Sequence, residues 1–207
     1  MLTPIQIEIA KIINEIEGRE FFVLAGGGAL ILREISNRQT ADLDYFTKKR
    51  ELVNTFTREC VKALIAKSFK VEEQLMNDGF CRLAVTSTAG ETIVDFGYDY
   101  FSDSEPSELG PTLSLLGLGA NKILALSGRS QARDGFDLFS ICQSSELKVL
   151  IEHAIEIDPG FRIDQLISGL KGLSRFGLED SGFSREQWEL VLDWAKSTID
   201  LLDSSDK

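Results

Sequence analysis

The sequence predicts an α/β (α+β) protein: a mixed sheet of about five strands with helices, followed by a helical C-terminal region. Three observations lead there. Short apolar runs of strand length alternate with helical patterns over the first hundred or so residues. Two joints between such runs, Asn77-Asp78-Gly79 and Ala89-Gly90, carry turn chemistry and describe a meander, the first with a D-G hairpin signal. Beyond a polar loop at 102–111, rich in Ser and Glu and holding two prolines, every apolar pattern has helical spacing. That loop marks the one domain boundary the composition suggests, dividing an α/β core at 1–105 from a helical region at 106–207.

The elements follow in order. Thr3-Pro4-Ile5-Gln6 fits a capping box with proline at the first helical position, and Ile5, Ile9, Ile12, Ile13 and Ile16 make an apolar stripe ending at Gly18. The run 21–25 reads as a short buried strand, and Gly26-Gly27-Gly28 lets the backbone turn sharply into a helix. A strand around Asp42-Leu43-Asp44-Tyr45-Phe46 comes next, then a helix over 49–67 with Leu52, Phe56, Cys60, Ala63 and Leu64 inward. Strands at 69–76, 80–86 and 92–98 extend the sheet. Helices are expected at 113–127, 132–141, 144–157, 162–173 and 184–202, the last opened by the capping box Ser184-Arg185-Glu186-Gln187, with fraying from Asp203 onward.

Composition narrows the function classes. The chain has 207 residues and a formal net charge of −11, which argues against a broad nucleic-acid surface, because such surfaces neutralise phosphate with Lys and Arg. A local basic groove stays open: acid concentrates late, at Glu146, Glu152, Glu156, Asp158, Asp164 and 179–206, while Lys48, Lys49, Arg50, Arg58, Lys62 and Lys67 cluster on one helical stretch. No apolar run approaches a membrane span and no signal peptide is evident, so the expected location is cytoplasmic. Cys60, Cys81 and Cys142 are widely spaced, which indicates neither zinc nor a disulfide framework. The only histidine, His153, has no Cys or His nearby in sequence, and this disfavours histidine-based nucleophilic catalysis. Trp188 and Trp194 fall among Leu190, Val191 and Ile199 and read as core or interface residues.

The chemistry concentrates between Gly26 and Asp44. A helix opening at a glycine turn presents unpaired N–H groups that suit a phosphate oxygen. Asp42 and Asp44 are one residue apart on a strand, so both carboxylates share a face and call for a divalent cation such as Mg²⁺. Asp95, an acid inside the apolar strand Ile93-Val94-Asp95-Phe96, reads either as a third metal ligand or as the partner of an arginine. Lys122, in the otherwise small and apolar Leu118-Gly119-Ala120-Asn121-Lys122-Ile123-Leu124, would neutralise triphosphate charge. Arg133, Asp134 and Asp137 follow on a short helix, where an internal salt-bridge network is the competing reading.

LAGGGALIL at 24–32, then Arg38-Gln39-Thr40-Ala41-Asp42-Leu43-Asp44, with distal Lys122 and Arg133-Asp134-Gly135-Phe136-Asp137, resemble the AbiEii family of MenT-type nucleotidyltransferase toxins, within the DNA polymerase β-like nucleotidyltransferase superfamily. The resemblance implies a polymerase β-like core and transfer of a nucleotide from an NTP, with Mg²⁺, onto an acceptor, an RNA such as tRNA, by the toxin of a toxin–antitoxin pair. It implies Gly26, Gly27, Gly28, Lys122 and Arg133 at the nucleotide, Asp42, Asp44 and Asp95 at the metal, and Asp42, Asp44, Lys122 and Asp137 as catalytic residues. Thr40 becomes a candidate regulatory phosphosite, because a phosphate there would compete with the carboxylates for the cation. At Gly28 the chain departs from the family, which usually carries Ser or Thr, so a hydroxyl expected at the phosphate is missing. Two alternatives stand beside this reading: a small-molecule or protein hydroxyl as acceptor, and a degenerate nucleotide-binding protein without catalysis.

Overall fold

The computed structural model describes residues 1–100, 103–178 and 182–205. Ser102, where the polar loop was expected to begin, and the acids at 179, 180 and 206 lie outside the described residues. The chain divides into two compact units, Met1–Ser114 and Leu115–Lys207. Two short strands within the polar loop belong to the first unit.

In the first unit the elements run α1 (Pro4–Asn14), β1 (Val23–Ala25), α2 (Gly26–Leu32), β2 (Asp42–Thr47), α3 (Leu52–Ala66), β3 (Lys70–Asn77), β4 (Phe80–Ser87), β5 (Gly90–Tyr98), β6 (Ser104–Glu105) and β7 (Thr112–Leu113). The sheet has seven strands rather than the expected five, in the order β3-β4-β5-β2-β1-β7-β6. It is mixed: β2 runs parallel to β5 and β1 to β7, while the other neighbours are antiparallel. The additional pair β6 and β7 is two residues long in each strand, too short to leave an alternating pattern in the sequence.

Two hairpins set the register. Asp78-Gly79 joins Asn77 to Phe80 in a two-residue loop with Gly79 at φ +86°, a conformation favoured by glycine, and the second turn pairs Ser87 with Gly90. Along β2 the odd positions Leu43, Tyr45 and Thr47 are buried and the even positions Asp42, Asp44 and Phe46 are half-buried. The buried face, continued by Leu83, Val85, Val94 and Phe96, packs beneath α1 and α3. Phe56 of α3 stacks on Phe22 at 4.2 Å and meets Phe96 edge-on at 5.8 Å, so the aromatic centre of this core joins α3 to β5. The other face carries the aspartates.

The expected capping box at Thr3 and Gln6 forms, and the Gln6 amide also donates from Nε2 to Thr40 O at 3.0 Å and to Thr92 Oγ1 at 3.2 Å. It thereby ties α1 to the segment that leads into the Asp-bearing strand. Arg19 is buried and donates to the carbonyls of Phe22, Leu109 and Pro111 while lying over the Tyr45 ring at 4.9 Å. Desolvation lowers its pKa, and burial raises that of Tyr45. The same guanidinium thus anchors the entry to β1 and the approach to β7.

The second unit is helical: α4 (Leu115–Arg129), α5 (Ala132–Cys142), α6 (Leu147–Ile157), α7 (Ile163–Gly172) and α8 (Arg185–Ser205). Helix α4 packs against α5, α6 and α7, and α8 against α5 and α7. A Cβ on Gly119 would meet Leu150 at 2.6 Å, so the absence of one lets α4 and α6 approach closely. The capping box at Ser184 and Gln187 opens α8, which continues through Ser205 rather than fraying at Asp203. Trp188 is buried and donates its indole N–H to Phe176 O. No helix among the described residues is long and apolar enough to cross a membrane.

Candidate active site

The site of the first unit is built on one row across the sheet. Ala25 pairs with Asp44, Asp44 with Asp95 and Asp95 with Arg82, so these residues stand side by side on β1, β2, β5 and β4. Adjacent strands lie about 5 Å apart, which brings side chains on one face within reach of each other. Asp42 adds a carboxylate one pleat along the same face of β2.

The glycine turn meets this row where β1 ends. Gly26 has φ +57°, and a Cβ there would collide with Asp44 Oδ2, so both the backbone and the carboxylate require glycine. A Cβ on Gly27 would meet Arg38 Nη2 at 2.6 Å and Thr40 Oγ1 at 2.8 Å. Gly27 therefore faces the polar side of the turn. Gly28 faces elsewhere: a Cβ would contact Leu43, Leu24 and Leu2 at 3.4 to 3.9 Å. The Cβ of a Ser or Thr at this position would start toward leucines. What Gly28 offers a ligand is backbone. The opening turn of α2 has no side-chain cap.

Thr40 is buried and donates from Oγ1 to Asp42 Oδ1 at 2.8 Å, fixing one carboxylate beside the turn. Arg38 is half-buried, with Nη1 donating to Gln39 O at 2.9 Å. Asp95, expected as a third metal ligand or an arginine's partner, is paired with an arginine. Arg82 binds it through Nε to Oδ1 at 2.8 Å and Nη2 to Oδ2 at 2.6 Å. The hydrogen bonds to Asp95 hold the Arg82 guanidinium above its ordinary pKa against a smaller desolvation effect, and the charges of Asp95, Asp42 and Asp44 act in the same direction. One guanidinium thus sits in the field of all three carboxylates.

Asp42 and Asp44 supply hard oxygen ligands on one face, the donor set that suits Mg²⁺ when substrate phosphates complete its shell. Asp95 stands beside that pair with both its oxygens accepting hydrogen bonds from Arg82. Among the described residues no three acid, histidine or cysteine side chains gather as a metal cluster.

In the second unit Lys122 is buried and bonded to Asp134 Oδ1 at 3.2 Å and Asp137 Oδ2 at 2.9 Å. Asp134 also accepts from Arg129 Nε at 2.7 Å and Nη2 at 2.9 Å. Burial pushes the Asp134 carboxyl up, but the Arg129 hydrogen bonds and the Lys122 charge outweigh it and hold its pKa below the ordinary value. A salt-bridge network is present and includes Arg129, while Arg133 is exposed and donates to Gln131 Oε1.

Three arginines carry roles that the residue pattern left unassigned. Arg82 was legible by register: counting outward from the Ser87–Gly90 pair sets it opposite Asp95. Arg129 lies in the last turn of α4, five residues before Asp134, and Arg38 lies inside the Arg38–Asp44 motif without a stated function.

Glycine turn, short helix and paired aspartates on the adjacent strand define the class: a nucleotidyltransferase built on a mixed sheet. MenT4, a nucleotidyltransferase toxin from Mycobacterium tuberculosis H37Rv, superposes with a TM-score of 0.65 at 16% identity, over 94% of this chain and 81% of that one. JHP933 from Helicobacter pylori superposes with a TM-score of 0.53 at 19% identity, over 98% of this chain and 95% of that one. At these identities the likeness is one of fold. No curated protein matches the chain in sequence. The family model of the nucleotidyl transferase AbiEii toxin of type IV toxin–antitoxin systems matches residues 10–158. The chain belongs to the AbiEii family and is a toxin nucleotidyltransferase, a membership that implies a nucleotide substrate and a cognate antitoxin.

Proposed function

We propose that the protein transfers a nucleotide from an NTP, with Mg²⁺, onto the hydroxyl of an RNA acceptor such as tRNA. The observation that carries the reaction is the packing of Asp44 against Gly26, with Asp42 alongside, where α2 opens. That arrangement puts two cation-binding carboxylates beside backbone N–H groups suited to phosphate. Mg²⁺ held by Asp42 and Asp44 would neutralise phosphate charge and lower the pKa of the attacking hydroxyl. Gly26 and Gly27 let the nucleotide approach the backbone, Gly28 contributes main chain only, and Arg38 places a guanidinium at the same turn.

For Lys122 and Asp137 the support is the family resemblance together with their 2.9 Å ion pair, which fixes the ammonium in one position. Exposed Arg133 has the resemblance alone. Phosphorylation of Thr40 would replace the donor to Asp42 by an anion and weaken cation binding there. The RNA acceptor also rests on resemblance. The net charge of −11 favours a second reading, in which the acceptor is a small molecule or a protein hydroxyl.

The decisive experiment incubates the protein with each α-labelled NTP, Mg²⁺ and total cellular RNA, with a protein extract and a small-molecule pool as parallel acceptors. Label entering RNA only when Mg²⁺ is present supports the proposal. Label entering the other pools supports the second reading, and no transfer to any acceptor, with nucleotide still bound, leaves a binding protein without catalysis.

A further inference from the structure

Beyond the row of Asp44, Asp95 and Arg82, the next row on the same face of the sheet is aromatic. Phe46 pairs with Gly97 and Gly97 with Phe80, so a phenyl ring on β2 and another on β4 flank a glycine on β5. Both rings are half-buried. A Cβ on Gly97 would lie 2.9 Å from Cδ1 and Cε1 of Phe46 and 3.5 Å from Phe80. The Phe46 ring therefore leans across β5 toward Phe80, over a position that only glycine leaves open. The Arg82 guanidinium, on a side chain 44% exposed, stands 5.7 Å from the centre of the Phe80 ring. Two residues along a strand span about 7 Å, so the aromatic row lies within one nucleotide's reach of the carboxylates.

The glycine turn lies on the other side of those carboxylates. β1 runs antiparallel to β2 with Val23 opposite Phe46 and Ala25 opposite Asp44, so the chain enters Gly26 heading away from Phe46. In the proposed reaction the leaving pyrophosphate takes the turn, and the attacking and leaving oxygens of such a transfer stand roughly in line across the phosphorus. The acceptor hydroxyl then comes from the side of β5 and β4, where the two rings and Arg82 are.

We propose that Phe46 and Phe80 form the acceptor subsite, stacking the 3′-terminal base of a single-stranded RNA while Arg82 meets an RNA phosphate. This rests on the proposed function for the direction of attack. The step joins the terminal 3′ oxygen to the α-phosphorus, breaks the bond from that phosphorus to the pyrophosphate oxygen and passes the hydroxyl proton to water. Aromatic rings accept any base by its π-face, and the contacts to Asp95 occupy only part of the N–H fork of Arg82. A planar base with a phosphate matches two rings beside a guanidinium, whereas a serine or threonine hydroxyl of a protein brings neither group.

A 5′-fluorescein-labelled dodecamer of single-stranded RNA, titrated with the protein in EDTA and followed by fluorescence anisotropy, reads this subsite without turnover. Phe46→Leu and Phe80→Leu keep an apolar cover beside Gly97 and remove a ring. Each should weaken RNA binding roughly five- to a hundredfold, the effect of losing one base stack, at a wild-type melting temperature. The same RNA without the base of its 3′-terminal nucleotide should bind the wild type as weakly as the intact RNA binds the variants, and the variants should not distinguish the two RNAs. Equal binding of both RNAs by the wild type, unchanged affinity in both Leu variants, or no RNA binding by the wild type would each overturn the proposal. So would a fall in Mg·NTP affinity in the Leu variants, which would hand the rings to the donor base, or label transfer to a protein or small-molecule pool alone. If a Leu variant fails to fold, the comparison of the two RNAs on the wild type is a test by itself. Ring-dependent RNA binding without any magnesium-dependent transfer would remove the reaction and keep the RNA-binding rings. Transfer to RNA at a wild-type acceptor KM in both Leu variants would keep the reaction and remove the subsite.

Discussion

Replacing Lys122 by Met keeps an unbranched side chain of similar size and deletes the charge that two fully buried carboxylates share. Asp134 retains both hydrogen bonds from Arg129, so the loss falls mainly on Asp137, whose 2.9 Å contact to Nζ disappears. Breaking a buried pair by removing one partner costs about 3 to 5 kcal/mol, and the remaining Arg129 contacts favour the lower end. For a domain of roughly a hundred residues each kcal/mol moves the melting temperature by about 4 to 8 °C, so a fall on the order of 10 to 20 °C is expected. Thermal melts at pH 7 followed by circular dichroism measure it. The double variant Lys122→Met/Asp137→Asn should recover much of the loss, since the charge that faced the ammonium is gone too. An unchanged melting temperature for Lys122→Met would refute the ion-pair reasoning and leave Lys122 to nucleotide binding alone.

Four further outcomes are expected. Asp42→Asn and Asp44→Asn should each abolish magnesium-dependent label transfer while preserving the circular dichroism spectrum, because each removes a cation ligand at nearly constant volume; full activity in either would sink the site. Gly28→Ala should stabilise by about 0.5 to 1 kcal/mol in denaturant titrations with NTP affinity unchanged, because the added methyl meets only leucines at ordinary contact distance inside a helix; tighter NTP binding by Gly28→Ser would show that the position faces phosphate after all. Gly26→Ala should do the opposite and lower both stability and nucleotide binding, since it clashes with Asp44 and occupies a left-handed conformation; a neutral result would mean that the turn is built differently. Asp134 has a folded pKa below its ordinary 3.8, so the stability it contributes is present above pH 3.8 and is lost as pH falls through the folded value. Arg129→Gln should therefore flatten the fall of unfolding free energy between about pH 5 and pH 2, and an unaltered slope would remove Arg129 as the cause.

Much of this was legible because local chemistry and tertiary placement agree. The D-G turn at Asp78-Gly79 fixes a two-residue hairpin, and the alternation in Leu43-Asp44-Tyr45 separates core face from site face. The capping boxes at Thr3 and Ser184 mark helix starts that the backbone adopts to the residue. Strands β6 and β7 escaped because two residues cannot show a period, and their segment instead displayed the Ser, Glu and Pro of a loop. The facing of Gly28 escaped for a different reason. Three successive glycines carry no side-chain direction, and one residue of rotation about the first turn of α2 separates a phosphate-side position from a core-side one.

The charges follow a rule that neither composition nor motif states. Acids in apolar settings, Asp95 on β5 and Asp134 and Asp137 on α5, all proved to be paired, and in each case an arginine or lysine inside the same unit supplies the partner. The desolvation cost of an unpaired carboxylate makes that outcome the default whenever a basic side chain lies within reach. Family motifs pick out the acids, because chemistry is written on them, and pass over their counter-ions. Register arithmetic from a hairpin, or a basic residue in the last turn of the preceding helix, finds the partner. A carboxylate identified by motif should therefore be assigned to metal only after the cations that its own strands and helices place beside it have been counted. By that count Asp95 already has Arg82 beside it.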